Sequence, residues 1–202
     1  SKGYWETSGV EAALWGFLGS AVEPRIPGML RRLREVAMSD YGVVLFPYKE
    51  ADNHFCNAVW YGWQAGIARA AARAGDAALI HELIGQQVRT VVRAKTFYEV
   101  TDARSGESWR WPGQLWHAAG FVSLVLYGLL GLQYDSAGMS FTPAVAREFD
   151  GARLGGLAYR RASLDVEVQG HGSRCRVLLD GRPVPRIPAE TAGRHTVVLE
   201  ML

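Results

Sequence analysis

The stretch from residue 97 to 116 carries the side chains best suited to chemistry on a sugar. It places Glu99 among aromatic residues that include Trp111 and Trp116. A carboxylate can activate water or stabilise a cationic transition state, and aromatic faces stack on pyranose rings. We therefore take Glu99 as a candidate general base, the two tryptophans as stacking surfaces and Gln114 as a partner for sugar hydroxyls. The residues alone leave an alternative open, in which Glu99 caps a turn and the tryptophans only pack.

A second group of candidates lies earlier in the chain, at Asn57, Trp60 and Trp63. On a helix, Trp60 and Trp63 share a face because they are three residues apart. Such a stripe could belong to the core, or it could line a sugar site with Asn57 bonding a hydroxyl. The further carboxylates that could reach the same cavity are Glu6, Glu50 and Asp52.

The spacing of apolar residues predicts the elements that position these side chains. The predicted helices cover residues 10–22, 24–38, 54–74, 76–95 and 113–130. The second and fourth carry charged faces and are expected outside, whereas the other three are rich in Ala, Gly, Trp and Leu and are expected inside. In antiparallel hairpins the long connections, residues 39–53 and 96–112, meet at one end, where the inner helices begin.

The pattern changes near residue 131, after which short alternating runs are separated by Gly and Pro. We predict an α+β protein: a partial α/α toroid of helical hairpins over 1–131, followed by a small antiparallel β-sandwich-like domain over 132–202. An arc of five helices leaves an apolar flank uncovered, which is unfavourable by about 25 cal/mol per Å². The rest of the ring is therefore expected from a longer precursor or another subunit.

Composition excludes other classes of function. The chain is 49% hydrophobic with a net charge of +2, which argues against binding nucleic acid by charge. The apolar run from 115 to 132 is interrupted by His117 and glycines, so we expect a buried helix and no membrane span. No phosphate-binding loop or metal-ligand spacing is present, and no cofactor is expected. No secretory signal is recognised; the compartment stays open, with the cytoplasm favoured.

Three short motifs and the tail resemble a known group of enzymes. The matching stretches are Phe97-Tyr98-Glu99 with Asp102 and Gly106, residues 57–60 (Asn-Ala-Val-Trp), residues 112–119 (Pro-Gly-Gln-Leu-Trp-His-Ala-Ala) and residues 157–166 (Leu-Ala-Tyr-Arg-Arg-Ala-Ser-Leu-Asp-Val). They resemble the C-terminal part of the (α/α)6-barrel glycoside hydrolases, a group that includes trehalases, oligosaccharide glucosidases and α-rhamnosidases. The tail is similar to the β domain of the related disaccharide phosphorylases.

The resemblance implies an inverting glycoside hydrolase with Glu99 as its general base and a carbohydrate as its substrate. It places the general acid upstream, in barrel hairpins that this chain lacks. The sequence departs from the family at Ala58, Ala103 and His117, where the family has Gly, Pro and Ser. Two alternatives stay open: a non-catalytic sugar-binding or interaction fragment, and an inverting disaccharide phosphorylase. Neither nucleic acid nor a membrane is expected as a partner.

Overall fold

The computed structural model describes residues 24–45 and 57–202, and these form a mixed α+β structure, as predicted. The α-helices are α1 (Ile26–Val36), α2 (Gln64–Ala74), α3 (Ala77–Ala94) and α4 (Leu115–Ser123). A π-helical segment, Leu124–Leu129, continues α4, and short 3-10 helices cover Tyr61–Trp63 and Arg147–Phe149. The strands are β1 (Met38–Ser39), β2 (Gly42–Val43), β3 (Ala58–Val59), β4 (Tyr98–Asp102), β5 (Ser108–Pro112), β6 (Leu132–Tyr134), β7 (Gly138–Phe141), β8 (Arg153–Tyr159), β9 (Arg161–Gln169), β10 (Cys175–Leu179), β11 (Arg182–Pro183), β12 (Ile187–Pro188) and β13 (Ala192–Met201).

The turn between α2 and α3 follows from its sequence. Gly75 ends α2 in the left-handed conformation at φ 70°, and the Asp76 side chain caps α3 by accepting the Leu79 N–H at 3.1 Å. Asp76 also accepts a hydrogen bond from Arg34 of α1 at 3.1 Å, which ties α1 to this turn. Burial raises the pKa of Asp76, but the bonds from Arg34 and Leu79 outweigh burial and hold that pKa below its usual value. The predicted stop and cap are confirmed.

The predicted helix over 54–74 is wrong at its start. Ala58 and Val59 form β3, Trp60 is extended with φ −117°, and regular α-helix begins only at Gln64. The reason is pairing with a distant segment: Ala58 lies opposite Asp102 of β4, and that contact outweighs the helical spacing of the apolar residues. The expectation that Trp60 and Trp63 share a helical face is therefore also wrong.

The long connection over 96–112 contains a β-hairpin, β4–β5. This hairpin adds to β3, giving a three-stranded sheet in the order β3-β4-β5. Beside β3, Val44 forms a bridge with Val59, and the Leu45 N–H donates to the Ala58 carbonyl at 2.9 Å. The two long connections also meet directly in their described parts, as predicted, because a Cβ on Gly106 would lie 2.1 Å from the Tyr41 ring. The predicted helix over 10–22 lies outside the described residues.

α4 and its π-helical continuation lie against α2 and the preceding 3-10 helix at two glycines. A Cβ on Gly120 would meet the Gly62 Cα at 2.7 Å, and one on Gly128 would meet the Ala68 Cβ at 2.7 Å. Gly120 and Gly128 are eight residues apart, and in a regular α-helix that separation is about 80° more than two full turns. The two glycines would then point in different directions. The wider π turn absorbs that rotation. Within the described chain, no helix has the length and apolar character needed to cross a membrane.

The second part of the chain forms two sheets. The larger has the order β11-β10-β13-β9-β8, and the smaller has the order β12-β7-β6. The expected all-antiparallel arrangement is wrong for one pair, because β9 and β13 run parallel, with Val166 opposite Val197. Alternating burial along β9 identifies its inner face but carries no information on the direction of its neighbour.

Helices and sheets share one hydrophobic core. Buried residues from both sides of the predicted boundary at 131/132 belong to a single cluster that includes Leu83 and Leu164. Across the same boundary, the His81 ring of α3 lies 5.5 Å from the Phe149 ring, edge to face. The core therefore continues from the helical part into the β part.

Candidate functional site

The carboxylate of Glu99 lies partly buried on β4. Its side chain is 16% exposed, and Oε1 is 3.3 Å from Nη1 of Arg110 on β5. Oε2 is buried and accepts no hydrogen bond from the part of the chain that the structure describes. A carboxylate oxygen can accept hydrogen bonds, so Oε2 has acceptor capacity that none of the described residues uses.

A β-bulge positions Glu99 and Arg110 relative to each other. Tyr98 pairs with Pro112 and Val100 with Trp109, so β5 has one more residue than β4 between these pairs. Arg110 takes up the extra residue in the left-handed conformation, at φ 67°. Bulges re-aim side chains and are common beside active sites. Here the bulge lets the Arg110 guanidinium reach Glu99 while it also lies 5.4 Å from the Trp109 ring.

The structure brings three of the predicted tryptophans together. The Trp116 ring lies 5.8 Å from the Trp60 ring and 5.8 Å from the Trp63 ring, edge to face in both cases. Trp116 is 38% exposed, so part of its ring is open to a ligand. Trp60, Trp63 and Trp116 are called the tryptophan group below.

His117 joins the tryptophan group to Glu99, although it is not among the site residues predicted from the sequence. The residue is 0% exposed. Its Nδ1 accepts the Gly62 N–H at 2.7 Å, and its Nε2 lies 2.8 Å from the Glu99 carbonyl oxygen. Because Gly62 N–H can only donate, Nδ1 must carry the lone pair and Nε2 the hydrogen. Burial lowers the pKa of His117, and the bond to the Glu99 carbonyl opposes that effect only in part.

Of the remaining predicted site residues, Asn57 and Gln114 have backbone bonds to residues next to β4. Asn57 accepts the Ala103 N–H through its backbone carbonyl at 2.7 Å, which fixes it beside the hairpin. Gln114 precedes α4 and donates its backbone N–H to the Phe97 carbonyl at 3.0 Å. Trp111 is 70% exposed, and no ring contact within the described residues joins it to the tryptophan group. The candidates outside the described residues are Glu6, Glu50 and Asp52.

Asp102 and Gly106, which belong to the same sequence motif as Glu99, shape the hairpin turn. Asp102 Oδ1 accepts the N–H groups of Arg104 at 2.9 Å and Ser105 at 2.8 Å. Burial raises the pKa of Asp102, but these bonds outweigh it and keep the pKa below its usual value. Gly106 has φ 70°, and a Cβ there would lie 2.1 Å from the Tyr41 ring. The motif therefore combines a carboxylate available for chemistry, Glu99, with one committed to structure.

Other chemistry has less support in the described residues. No group of His, Cys, Asp and Glu side chains there could hold a metal ion. Cys175 is a free thiol whose pKa is raised to about 11 by burial and by the nearby Glu200 carboxylate, so it stays protonated at neutral pH.

Comparison of the sequence with protein family models and with curated proteins finds no match. The interpretation of the site therefore depends on its geometry and chemistry.

Proposed function

We propose that the chain is the C-terminal portion of an inverting glycoside hydrolase in which Glu99 is the general base. The observation that carries the proposal is the partly buried carboxylate of Glu99. The backbone carbonyl of the same residue bonds His117, whose ring lies against Trp116 of the tryptophan group. In an inverting enzyme one carboxylate activates water while a carboxylic acid about 6.5–9.5 Å away protonates the leaving oxygen. Glu99 takes the first role, and the acid comes from upstream hairpins.

The tryptophan group supplies the proposed sugar-binding wall. Trp116 offers a partly exposed ring, and Trp60 and Trp63 hold it from two sides. A ring fixed in this way stacks on the C–H face of a pyranose with little loss of side-chain freedom. Asn57 and Gln114, whose backbone groups bond residues that flank the two ends of β4, are proposed to bond sugar hydroxyls. The exposed Trp111 is proposed to contact a more distant sugar unit.

The proposed toroid gains support from an exposed apolar flank on α3 and α4. Val88, Val92 and Val122 are exposed there, next to a groove of about 180 Å³. The groove is lined by Gln87, Val88, Val91, Val92, Phe97 and Phe121. Exposed apolar patches of this kind usually mark surfaces that another element covers. We propose that the remaining helical hairpins of the barrel cover this flank.

A second candidate function is sugar binding without catalysis. It is favoured by the ion pair between Glu99 and Arg110, because a guanidinium bonded to Oε1 occupies an oxygen that a catalytic water would otherwise use. In that case the tryptophan group would still bind sugar, and Glu99 would serve only to orient Arg110.

Replacing Glu99 by Gln separates the two candidates. In the protein that supplies the rest of the barrel, E99Q should reduce turnover by about 10²- to 10⁴-fold, the usual contribution of a general base, while sugar affinity survives. Glu107→Gln is the matched control, because Glu107 is an exposed glutamate near the tip of the same hairpin. Turnover and sugar affinity should be measured for both variants.

The other results would each contradict the proposal. Retained turnover in E99Q would remove Glu99 from the mechanism. Sugar binding without turnover in the unaltered protein would favour the binding candidate. Cleavage that depends on inorganic phosphate would indicate a phosphorylase, and the absence of both sugar binding and turnover would exclude all three functions.

A further inference from the structure

We propose that His117 is a positioning residue, which holds the backbone at Glu99 and thereby fixes where the Glu99 carboxylate lies. The inference rests on the proposed function and deepens it, because it names how the base is held in place. His117 bonds two backbone groups from separate segments, the Gly62 N–H and the Glu99 carbonyl. Both bonds are short and the ring is fully buried, so the imidazole acts as a rigid spacer between the 3-10 helix and β4.

The bulge makes this spacer necessary at Glu99. Tyr98 and Val100 have register partners on β5, but Glu99 between them has none. The regular ladder between β4 and β5 is therefore interrupted at the residue that carries the carboxylate. His117 Nε2 provides the carbonyl of Glu99 with a hydrogen-bond partner 2.8 Å away, from a different element. Without this bond, we expect the backbone at Glu99 to shift and the carboxylate to move with it.

The same imidazole also contacts the tryptophan group. Its ring lies 4.2 Å from the Trp116 ring at an interplanar angle of 33°, and 6.5 Å from the Trp60 ring. Trp116 is the adjacent residue on α4, so its backbone is fixed by the same turn of helix. One side chain thus joins the proposed base to the surface on which the sugar stacks. Displacements of about 1 Å can cost an enzyme 10²-fold in rate.

Two variants distinguish the bonds that His117 makes. An Asn side chain ends near the position of the imidazole Nδ1 and can accept the Gly62 N–H, but it does not reach the Glu99 carbonyl. A Gln side chain ends near the position of Nε2 and can donate to that carbonyl, but it leaves Gly62 unpaired. If His117 positions Glu99, H117N should lower kcat at least 10-fold with little change in KM, whereas H117Q should keep kcat within about 3-fold.

Thermal unfolding of both variants provides the structural comparison. Each variant loses one bond to a backbone group, so similar melting temperatures with different kcat values support positioning. Equal loss of kcat in both variants, or no loss in either, would overturn the inference. His171→Gln, at an exposed histidine between β9 and β10, is the control for the substitution itself.

A measurement on the unaltered chain remains decisive if the variants do not fold. Nitrogen-15 NMR of the histidine rings reports which nitrogen carries the hydrogen. We expect His117 as the neutral Nε2–H form near pH 7, and the Nδ1–H form or a charged ring would overturn the inference. Because this readout needs no substrate, it separates a failure of the His117 proposal from a failure of the proposed glycosidase activity.

Discussion

At the scale of single residues, two histidines of this chain have opposite hydrogen-bond needs. His117 faces one donor and one acceptor and is satisfied as a neutral ring. His195 faces two acceptors: its Nδ1 lies 2.6 Å from Asp180 Oδ2, and its Nε2 lies 3.0 Å from the Ala192 carbonyl. Both contacts are hydrogen bonds only when the ring is protonated. The bond to Asp180, with a smaller contribution from Ala192, raises the pKa of His195 above its ordinary value of 6.5.

The protonated ring of His195 should stabilise the sheet in mildly acidic solution. A group whose pKa is higher in the folded state contributes its stability fully below the unfolded pKa, and that contribution is lost as pH rises through the folded pKa. The free energy of unfolding should therefore differ more between the unaltered chain and His195→Gln near pH 5.5 than near pH 9. Denaturant titrations at the two pH values check this. His171→Gln is the control, and an unchanged difference across this range would contradict the assignment.

At the scale of elements, a close approach of ring and backbone fixes where α4 meets the 3-10 helix. A Cβ on Gly62 would lie 2.1 Å from the Trp116 ring. The ring is a rigid body in contact with Trp60, Trp63 and His117, so moving it aside would disturb three ring contacts. Glycine at this position therefore allows the Trp116 ring to lie directly against the 3-10 helix.

Replacing Gly62 by Ala should destabilise the chain by about 1–3 kcal/mol, the usual cost of inserting a methyl group into packed surroundings. Gly28→Ala is the matched control: Gly28 lies in α1, and a Cβ added there would have nothing within 4 Å. That substitution should stabilise by about 0.4–1 kcal/mol, because it restricts the unfolded chain. Denaturant unfolding measures both changes, and equal stability of the two variants would show that Trp116 can yield.

Local signals predict helix ends well and sheet contacts poorly. Gly75 and Asp76 act through their own backbone and its nearest neighbours, so their roles are readable from the sequence. The strand character of Ala58 depends on pairing with Asp102, which is distant in the chain. The role of His117 is hidden for the same reason, since its partners come from elements that only the fold brings together. Glu99 stands out in the sequence because aromatic residues flank it there, whereas its ion pair with Arg110 depends on the bulge in the hairpin.

At the scale of the whole molecule, a closed core contrasts with an open flank. One cluster holds buried residues of the helices and of the two C-terminal sheets, yet Val92 on α3 is 61% exposed, next to the groove lined by Phe97 and Phe121. An apolar side chain in this position contributes little to the stability of the chain alone. Its contribution is expected in the assembled protein, where a neighbouring element removes it from water.

A charge on this flank should test what covers it. Val92→Lys should change the free energy of unfolding of the 202-residue chain by less than about 0.5 kcal/mol, as for most surface substitutions. It should also reduce self-association, measured by analytical ultracentrifugation. Ala78→Lys, an exposed position near the start of the same helix, adds the same charge away from the flank and serves as control. Equal self-association of the two variants would show that the flank does not drive contacts between copies.

Because of its π-helical segment, the helix that begins at Leu115 should tolerate the loss of one residue better than the gain of one. This segment holds one residue more than an α-helical path with the same number of turns. If one residue of this segment were lost, Gly120 and Gly128 would be joined by regular winding of about 700°, within about 20° of two full turns, and would still face the same side. One residue gained would instead twist the two halves against each other by about 100°. In homologous chains, one-residue deletions in this segment should therefore be more common than one-residue insertions, and a deletion should leave a regular α-helix.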